Sequence, residues 1–397
     1  MTLEQMQTQL RMCKIPHEFY EIYPQIQDLW QSHSQNILSE SFLSQVLDGN
    51  YALIPWHDLV IAAAGEVRKN EAMCLLICLL EQWVKAGGDP YDADYQPPIG
   101  EGLAYDFLHI FPALPSIPDS IAYLRNRNVP EDVIVATMQE YDYCIKVCIT
   151  HMGRPAFDRG RLGWISLLVR NTLIRIGRFK YDLPDKYFYG SRIYRHKDGR
   201  LCILADNIAV HRSGRLLGCV GHTDTEGSFF AKLEQTEDSV TGHLVRGDRV
   251  LRETVTLPLS QWELLLCGND PVPRIHIPDD GSFDAQTIAD SFQRARHIFA
   301  ACYPDLPFKA FFCSSWLMSV DLRDMLKPSS NILGFQNCFL RIPFISSGLG
   351  VFSFAFNRAP VIPESFDDLP ENTSLQKSIK QHFLSGGYIH EGAGIFF

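Results

Sequence analysis

The segment KAFFCSSWLMSVDLRDML (309–326) carries the residues best suited to nucleophilic chemistry. A buried strand that ends in Cys or Ser before a turn is typical of a nucleophile, although an ordinary core strand has the same pattern. In a strand, Cys313 and Ser315 share one face, and Ser314 and Trp316 share the other. Because the sequence lacks a G-x-S-x-G elbow and a Cys-protease signature, a hydrolase that uses Cys313 or Ser315 is the less favoured hypothesis.

A histidine in the preceding strand-like segment, RIHIP (274–278), is a candidate general base. His276 alternates with Ile275 and Ile277, so its side chain points to the opposite face from theirs. An imidazole titrates near neutral pH, and on a face that lines a cleft it could take a proton from a nucleophile. The alternative is a structural histidine that hydrogen-bonds to a neighbouring strand.

The turn that follows, PDDGSFD (278–284), lies where a helix is predicted to begin. Free backbone N–H groups at such a position can hold a phosphate or pyrophosphate. The turn also contains Asp279, Asp280 and Asp284, and three carboxylates oppose an anion. Either Asp284 caps the helix, or the ligand carries no negative charge at this point.

Two further groups of residues are candidate binding sites. Cys144, Cys148 and His151 have ligand-like spacing on a helix, but the ligand set is incomplete, so buried thiols are favoured and no metal is predicted. Four arginines would either line a groove for an anionic ligand or form a solvated helix face, namely Arg161, Arg170, Arg175 and Arg178.

Composition limits the classes of function. The 397 residues carry 36 Lys and Arg against 46 Asp and Glu, a net charge of −10, without a basic run, which disfavours nucleic acid and anionic membranes as partners. The N-terminal segment has no apolar core of a signal peptide, and the apolar runs are too short to span a membrane. Eleven scattered Cys are predicted to be reduced thiols, so we expect a cytoplasmic protein.

The elements that must position these residues change character along the chain. Helical patterns fill the first 150 or so residues and continue over 164–183, and short strand-like segments follow over 187–260, including RLLGCVGHT (215–223). Strands and helices then alternate, with LGVFSFAF (349–356) predicted as a strand and a capped helix near the end. The sequence therefore predicts an α+β protein with a helical domain over 1–160 and a mixed-sheet domain over 161–397.

Several blocks together resemble, in this order, bacterial acyltransferase domain-containing proteins. That family has a helical N-acyltransferase N-terminal domain followed by a C-terminal domain similar to GNAT (N-acetyltransferase) folds. The resemblance covers most of the chain from about residue 100 onward. It rests on the blocks HIFPALPSIPDSIAYLRNRNVPEDVI, GRLGWISLLVRNTLIRIGRFKYD, RIHIPDDGSFDAQTIADSFQRA, CSSWLMSVDLRDMLKPSSNILGFQ and TSLQKSIKQHFLSGGYIHEGAG.

The resemblance implies a function and a site. In a GNAT enzyme two splayed strands receive the thioester of acyl-CoA or acetyl-CoA, which implies an acyltransferase that modifies an amine or hydroxyl of a small-molecule acceptor. The implied catalytic residues are His276, as the base, and Ser315. The implied walls of the cleft are Cys313, Ser314 and Trp316, and the implied co-substrate contacts are Gly281, Ser282, Asn331, Phe335 and Gln336.

The sequence departs from the GNAT pattern at one place. GNAT enzymes carry Q/R-x-x-G-x-G/A before the central helix, where bare amides surround the pyrophosphate, whereas PDDGSFD has one Gly and three acids. Two alternatives follow: another acyl donor is used, or the domain is a non-catalytic ligand-binding module that has kept the fold.

Overall fold

The chain divides into two compact units, Met1–Ile176 and Gly177–Phe397. The sequence-based boundary at 160/161 falls within the first unit, at the start of the helix Arg159–Val169. The structure, a computed structural model, describes residues 1–48, 53–183, 190–268 and 270–397.

The first unit is built from helices, as their patterns predict. The longest begins after Asn70, whose side chain accepts hydrogen bonds from the backbone N–H groups of Ala72 and Met73 and so satisfies the helix N-terminus. The helices are α1 (Leu3–Gln9), α2 (Glu18–Ile26), α3 (Trp30–Ile37), α4 (Glu40–Asp48), α5 (His57–Val67), α6 (Glu71–Lys85), α7 (Leu103–Phe107), α8 (Ile117–Asn126), α9 (Glu131–Met138), α10 (Glu140–Met152) and α11 (Arg159–Val169).

The prediction of one helix over 164–183 is wrong. The helix α11 ends at Val169, and the chain then forms two strands, β1 (Leu173–Ile176) and β2 (Phe179–Asp182). Asn171 and Gly177 have φ values of 57° and 59°, which end the helix and form a tight turn. A helix over this segment does not predict that Asp182 lies on a strand, directly opposite Arg274 of the neighbouring strand.

The second unit contains the remaining strands and helices. Residues 187–189, predicted to open its first strand-like segment, lie outside the described residues. The strands are β3 (Ser191–His196), β4 (Leu201–Ala205), β5 (Ile208–Val210), β6 (Phe229–Ala231), β7 (Glu234–Gln235), β8 (Ser239–Arg246), β9 (Arg249–Pro258), β10 (Trp262–Leu266), β11 (Arg274–His276), β12 (Phe311–Ser315), β13 (Leu340–Ile342) and β14 (Gly392–Phe396). The helices are α12 (Ala285–Cys302), α13 (Asn331–Asn337), α14 (Gly350–Phe356) and α15 (Ser374–Leu384).

The core of the second unit is layered around a central sheet. Within this unit the sheet has the order β2-β11-β12-β14-β13, with β11 and β12 parallel and the other pairs antiparallel. One face packs on α12, where Phe299 contacts Tyr181 and Phe311. The opposite face, with Phe312 and Ile395, packs against a second sheet of order β10-β3-β4-β8-β7, to which β9 is paired through β8.

The helix α12 follows the sequence expectation closely. Asp284 accepts a hydrogen bond from the backbone N–H of Thr287, so it is the helix cap. Ile288, Phe292 and Phe299 are buried at helical spacing against the central sheet. Although long, the helix is amphipathic, and no helix in the described part of the chain is long and apolar enough to cross a membrane.

Two segments predicted as strands have other structures. The segment 215–223 makes only isolated bridges, including Cys219 to His222, and otherwise forms a loop. Most of the segment 349–356 forms α14 (Gly350–Phe356), because the Glu391 carboxylate accepts hydrogen bonds from the backbone N–H groups of Gly348 and Gly350 at the start of the helix. Its apolar side chains then pack into a cluster with α15.

Candidate active site

The carboxyl ends of β11 and β12 lie side by side in the central sheet. Their parallel pairing reaches Ile275 and Cys313, after which β11 continues to His276 and β12 to Ser315. Because side chains alternate along a strand, His276 and Ser314 lie on the face of the second sheet, and Cys313 and Ser315 lie on the face of α12. The structure therefore brings His276 together with Ser314 and separates it from Ser315.

The imidazole of His276 is held by a buried carboxylate on the adjacent strand. Its Nε2 lies 2.9 Å from Oδ2 of Asp182, which also accepts two hydrogen bonds from Arg274, at 2.8 and 2.7 Å. Burial alone raises the pKa of Asp182, but the hydrogen bonds from His276 and Arg274 outweigh it, so the pKa lies below its ordinary value. An ionised carboxylate thus fixes a ring whose side chain is 34% exposed.

The hydroxyl of Ser315, predicted to be catalytic, has a structural contact. Its Oγ accepts a hydrogen bond of 3.1 Å from the backbone N–H of Leu317 and caps a short 3-10 helix, Trp316–Met318. Trp316 is half-buried and packs against the apolar cluster under α14. Ser314 is exposed. Of the predicted cleft residues, Ser314 is the one that shares the open face with His276.

The thiol of Cys313 is fully buried. Burial raises its pKa far above the ordinary value of a thiol. A nucleophilic cysteine needs an accessible thiolate, usually stabilised by a nearby cation or helix N-terminus. These observations argue against a hydrolase that uses Cys313.

The turn 278–284 is organised around its own carboxylate. Gly281 has a φ of 78°, which favours glycine. Asp284 accepts from the hydroxyls of Ser282 and Thr287 and from the backbone N–H of Thr287, and these bonds lower its pKa. Beneath the turn, the buried guanidinium of Arg178 donates to the Pro278 carbonyl at 2.7 Å. The helix-cap interpretation of Asp284 is confirmed, and phosphate contacts at Gly281 and Ser282 stay a prediction.

The three predicted contacts on α13 differ in accessibility. Asn331 is exposed at the first position of the helix, where an amide can reach a ligand. Phe335 is completely buried among other aromatic rings. Gln336 is also fully buried: its amide donates to the carbonyls of Leu317 and Ser319 at 2.8 and 2.9 Å and accepts from Arg341. Phe335 and Gln336 therefore support the site from within the core, and the structure argues against the direct ligand contact predicted for them.

The residues weakly suggestive of a metal site, Cys144, Cys148 and His151, lie on α10. Across residues 1–48, 53–183, 190–268 and 270–397, no group of three or more His, Cys, Asp or Glu is arranged to hold a metal ion. Cys144 and Cys148 are buried thiols, and His151 is exposed.

Comparison with protein families gives two adjacent matches. The model of a GNAT-like C-terminal domain matches residues 173–396, more than half of the chain, and that of an N-acyltransferase N-terminal domain matches residues 58–171. These matches confirm the family resemblance and the fold class predicted from the sequence. No curated protein matches the chain.

Solved structures with the same fold include three acyltransferase complexes. A complex with decanoyl-CoA and teicoplanin is 15% identical, with a TM-score of 0.63, and the match covers 100% of this chain and 99% of that chain. A complex with decanoyl-CoA is 17% identical, with a TM-score of 0.62 and the same coverage. An acyltransferase mutant with octanoyl-CoA is 16% identical, with a TM-score of 0.58, covering 89% of this chain and 86% of that one.

Proposed function

The chain belongs to the family of proteins with a GNAT-like C-terminal domain, and from this premise we propose that it transfers an acyl group from an acyl-CoA to an amine or hydroxyl of a small molecule. The observation that carries the proposal is His276, an accessible imidazole held by buried Asp182 where two parallel strands end. The similar structures that contain decanoyl-CoA or octanoyl-CoA support a medium-chain donor.

His276 is the proposed general base. The acceptor nitrogen or oxygen attacks the thioester carbonyl carbon, its proton passes to the imidazole, and the carbon–sulfur bond breaks to release the CoA thiolate, which takes that proton. Asp182 orients the ring and stabilises its positive charge while it holds the proton. The rest of the rate enhancement comes from positioning the two substrates, so the reaction needs no covalent bond between the protein and the acyl group.

Polar side chains at the strand ends and on α13 are the proposed contacts of the donor. Ser314 and Asn331 are exposed polar side chains at this end of the sheet. The acidic turn 278–284 differs from a bare phosphate-binding loop, and this difference favours one alternative function, a module that binds ligand without transferring it. A hydrolase is disfavoured by the buried Cys313 and the capping role of Ser315.

A small-molecule acceptor and a cytoplasmic site of action are part of the same proposal. The net charge of −10 opposes a nucleic-acid acceptor. Cys74, Cys148 and Cys313 are buried reduced thiols, as expected in a reducing compartment.

Thermal unfolding with CoA esters tests donor binding. A ligand at 100 times its Kd stabilises the native state by about 2.7 kcal/mol, so acetyl-, octanoyl- or decanoyl-CoA should raise the Tm by several degrees, and sodium decanoate should not. A Tm that stays unchanged with every CoA ester at millimolar concentration would contradict the proposal. Release of free CoA thiol in the presence of an amine separates transfer from binding, because a non-catalytic module would bind and release none.

A further inference from the structure

A groove follows the free edge of the central sheet, at the edge remote from His276. The edge strand is β13, which pairs only with β14 within the described residues. The groove has a volume of about 430 Å³ and lies between β13, residues 201–203 of β4 and residues 244–247 at the end of β8. We call it the β13 groove. Three strand spacings of about 4.8 Å separate β13 from β11, so the groove lies about 14 Å or more from the proposed acyl-transfer site.

The strands around the groove have edges without a strand partner. β4 and β8 pair at one position, Leu204 with Leu244, so in the described part of the chain the edge of β4 over 201–203 is not paired with β8. The edge of β13 that faces away from β14 has no partner strand among the same residues. A sheet edge of this kind presents N–H and C=O groups to an added strand. Main-chain hydrogen bonding of this type favours an extended peptide as the ligand.

The two faces of β13 differ in chemistry. Leu340 lies on the face of the second sheet and packs on the apolar core that includes Ile203 and Val245. Arg341, the next residue, points to the opposite face, where its guanidinium donates to the side-chain oxygen of Gln336. An added strand continues this alternation, so its successive side chains face an apolar surface and a cationic surface in turn.

The cationic surface has three guanidinium groups. Arg341 and Arg323 donate to side-chain amide oxygens, those of Gln336 and Asn337, and Arg246 lies exposed on the wall formed by β8. Among the residues that the structure describes, none of these three arginines forms an ion pair. A cluster of cations without local carboxylate partners attracts an external anion.

The environment of Arg341 disfavours its charge. Burial and the nearby charge of Arg323 lower the pKa of Arg341 to about 10, and the negative charge of Asp248 offsets them only in part. Asp248 accepts a hydrogen bond of 3.0 Å from Arg215. A carboxylate of a ligand placed beside Arg341 would supply the negative charge that this position lacks, through a charge-assisted hydrogen bond.

We propose that the β13 groove binds an extended peptide in which apolar and acidic residues alternate. The peptide adds to β13 as a further strand, with its apolar side chains on Leu340 and Ile203 and its carboxylates on Arg341 and Arg323. The partner is another protein and not a second copy of this chain, because an antiparallel pair of β13 strands would place equal positive charges opposite each other. This inference goes beyond acyl transfer and does not depend on it.

Fluorescence anisotropy with a labelled peptide tests the inference. The probe is a fluorescein-labelled nonapeptide that alternates glutamate and valine, titrated with the wild-type protein. Three matched peptides separate the contributions: one has lysine in place of glutamate, one has all its glutamates before its valines, and one is N-methylated throughout. We expect the alternating acidic peptide to bind most tightly, because the others lose the charge, the alternation or the main-chain donors.

Variants of the arginines locate the binding surface. Arg341→Gln keeps an amide that can donate to Gln336 but removes the charge, so the affinity for the alternating peptide should fall roughly ten-fold, as for the loss of one charged hydrogen bond. Arg246→Gln, at an exposed position that does not endanger folding, should weaken binding by a smaller factor. The matched control is Arg195→Gln on β3, which removes the same charge from an exposed arginine paired with Glu263 and should leave the affinity unchanged.

Four results would overturn the inference. The first is that the alternating peptide does not bind at millimolar concentration, and the second is equal affinity for the N-methylated peptide, which would exclude strand addition. The third is an affinity that neither Arg341→Gln nor Arg246→Gln changes. The fourth is binding of decyl phosphate without binding of the peptide, which would assign the groove to an anionic lipid. None of these measurements involves acyl transfer, so the two proposals fail separately.

Discussion

The second unit holds an imidazole in two different ways. His276 is bound through Nε2 to Asp182, a buried carboxylate on the next strand, whereas His222 is bound through Nδ1 to a carbonyl two residues away in its own loop. A carboxylate can compensate a proton added to a ring, but a carbonyl flanked by cations cannot. The partner of a histidine therefore decides how readily the ring holds an added proton.

The largest expected effect comes from removing the carboxylate-bound ring. His276→Gln should lower turnover with decanoyl-CoA and an amine acceptor by roughly 10² to 10⁴-fold, because the amine must lose a proton during attack. Donor binding, measured as the thermal shift with decanoyl-CoA, should stay unchanged. Equal turnover of variant and wild type would exclude His276 as the base and abolish the contrast with His222.

The next effect concerns Asp321, a carboxylate that accepts hydrogen bonds from Arg215 and His390. Asp321→Asn leaves the buried guanidinium of Arg215 and the buried imidazole of His390 without the carboxylate that they share, so the free energy of unfolding should fall by about 3–5 kcal/mol. Urea denaturation measures this change. Asp224→Asn, which removes an exposed carboxylate that contacts His211, is the control and should change stability little. An equal loss of unfolding free energy in both variants would show that the buried carboxylate contributes no more to stability than the exposed one.

Acid sensitivity should follow from the same carboxylate. The pKa of Asp321 is lowered from 3.8 to about 2 in the folded protein, so its stabilising contribution is complete above pH 4 and is lost as pH falls toward 2. That contribution is on the order of 2 kcal/mol. The wild-type unfolding free energy should therefore drop more steeply across this range than that of Asp321→Asn, and parallel curves would contradict the assignment. The lowered pKa of Asp182 predicts the same direction for Asp182→Asn.

The smallest effect is expected at Cys313. A maleimide should label Cys13 and Cys338, which are exposed, and leave the buried Cys313 unmodified in the native protein. Mass spectrometry of the labelled peptides measures this, with urea-unfolded protein as the control in which all three react. Rapid, stoichiometric labelling of Cys313 would revive the cysteine hydrolase hypothesis.

Much of the fold, but only part of the candidate site, could be predicted from the sequence. The order of strand and helix from β11 to β13 was predictable because α12 has a capped, periodic pattern and the strands are short apolar runs. Asp182 was missed because the apolar spacing over 164–183 fits a helix, and the turns at Asn171 and Gly177 depend on backbone conformations that periodicity does not reveal.

Long-range contacts account for the other omissions. Val220 contacts His390 across a separation of 170 residues, and the Glu391 carboxylate that stabilises the start of α14 at Gly350 is 41 residues away along the chain. Alternation within a segment contains no information on such partners. The buried position of Gln336 was equally invisible, because its helix exposes neighbouring residues such as Asn337.

The glycines of β14 have a consequence for how this protein can vary. A Cβ atom at Gly392 would overlap the backbone carbonyl of Met318, and one at Gly394 would overlap the Cβ of Phe339. Neither neighbour can withdraw as a flexible side chain could, since one is backbone and the other lies in the core. In a saturation mutagenesis experiment these two positions should tolerate almost no substitution, while the surrounding loops accept many. Substitutions that adapt the protein to new acceptors would then accumulate in the loops, while the sequence of β14 stays the same.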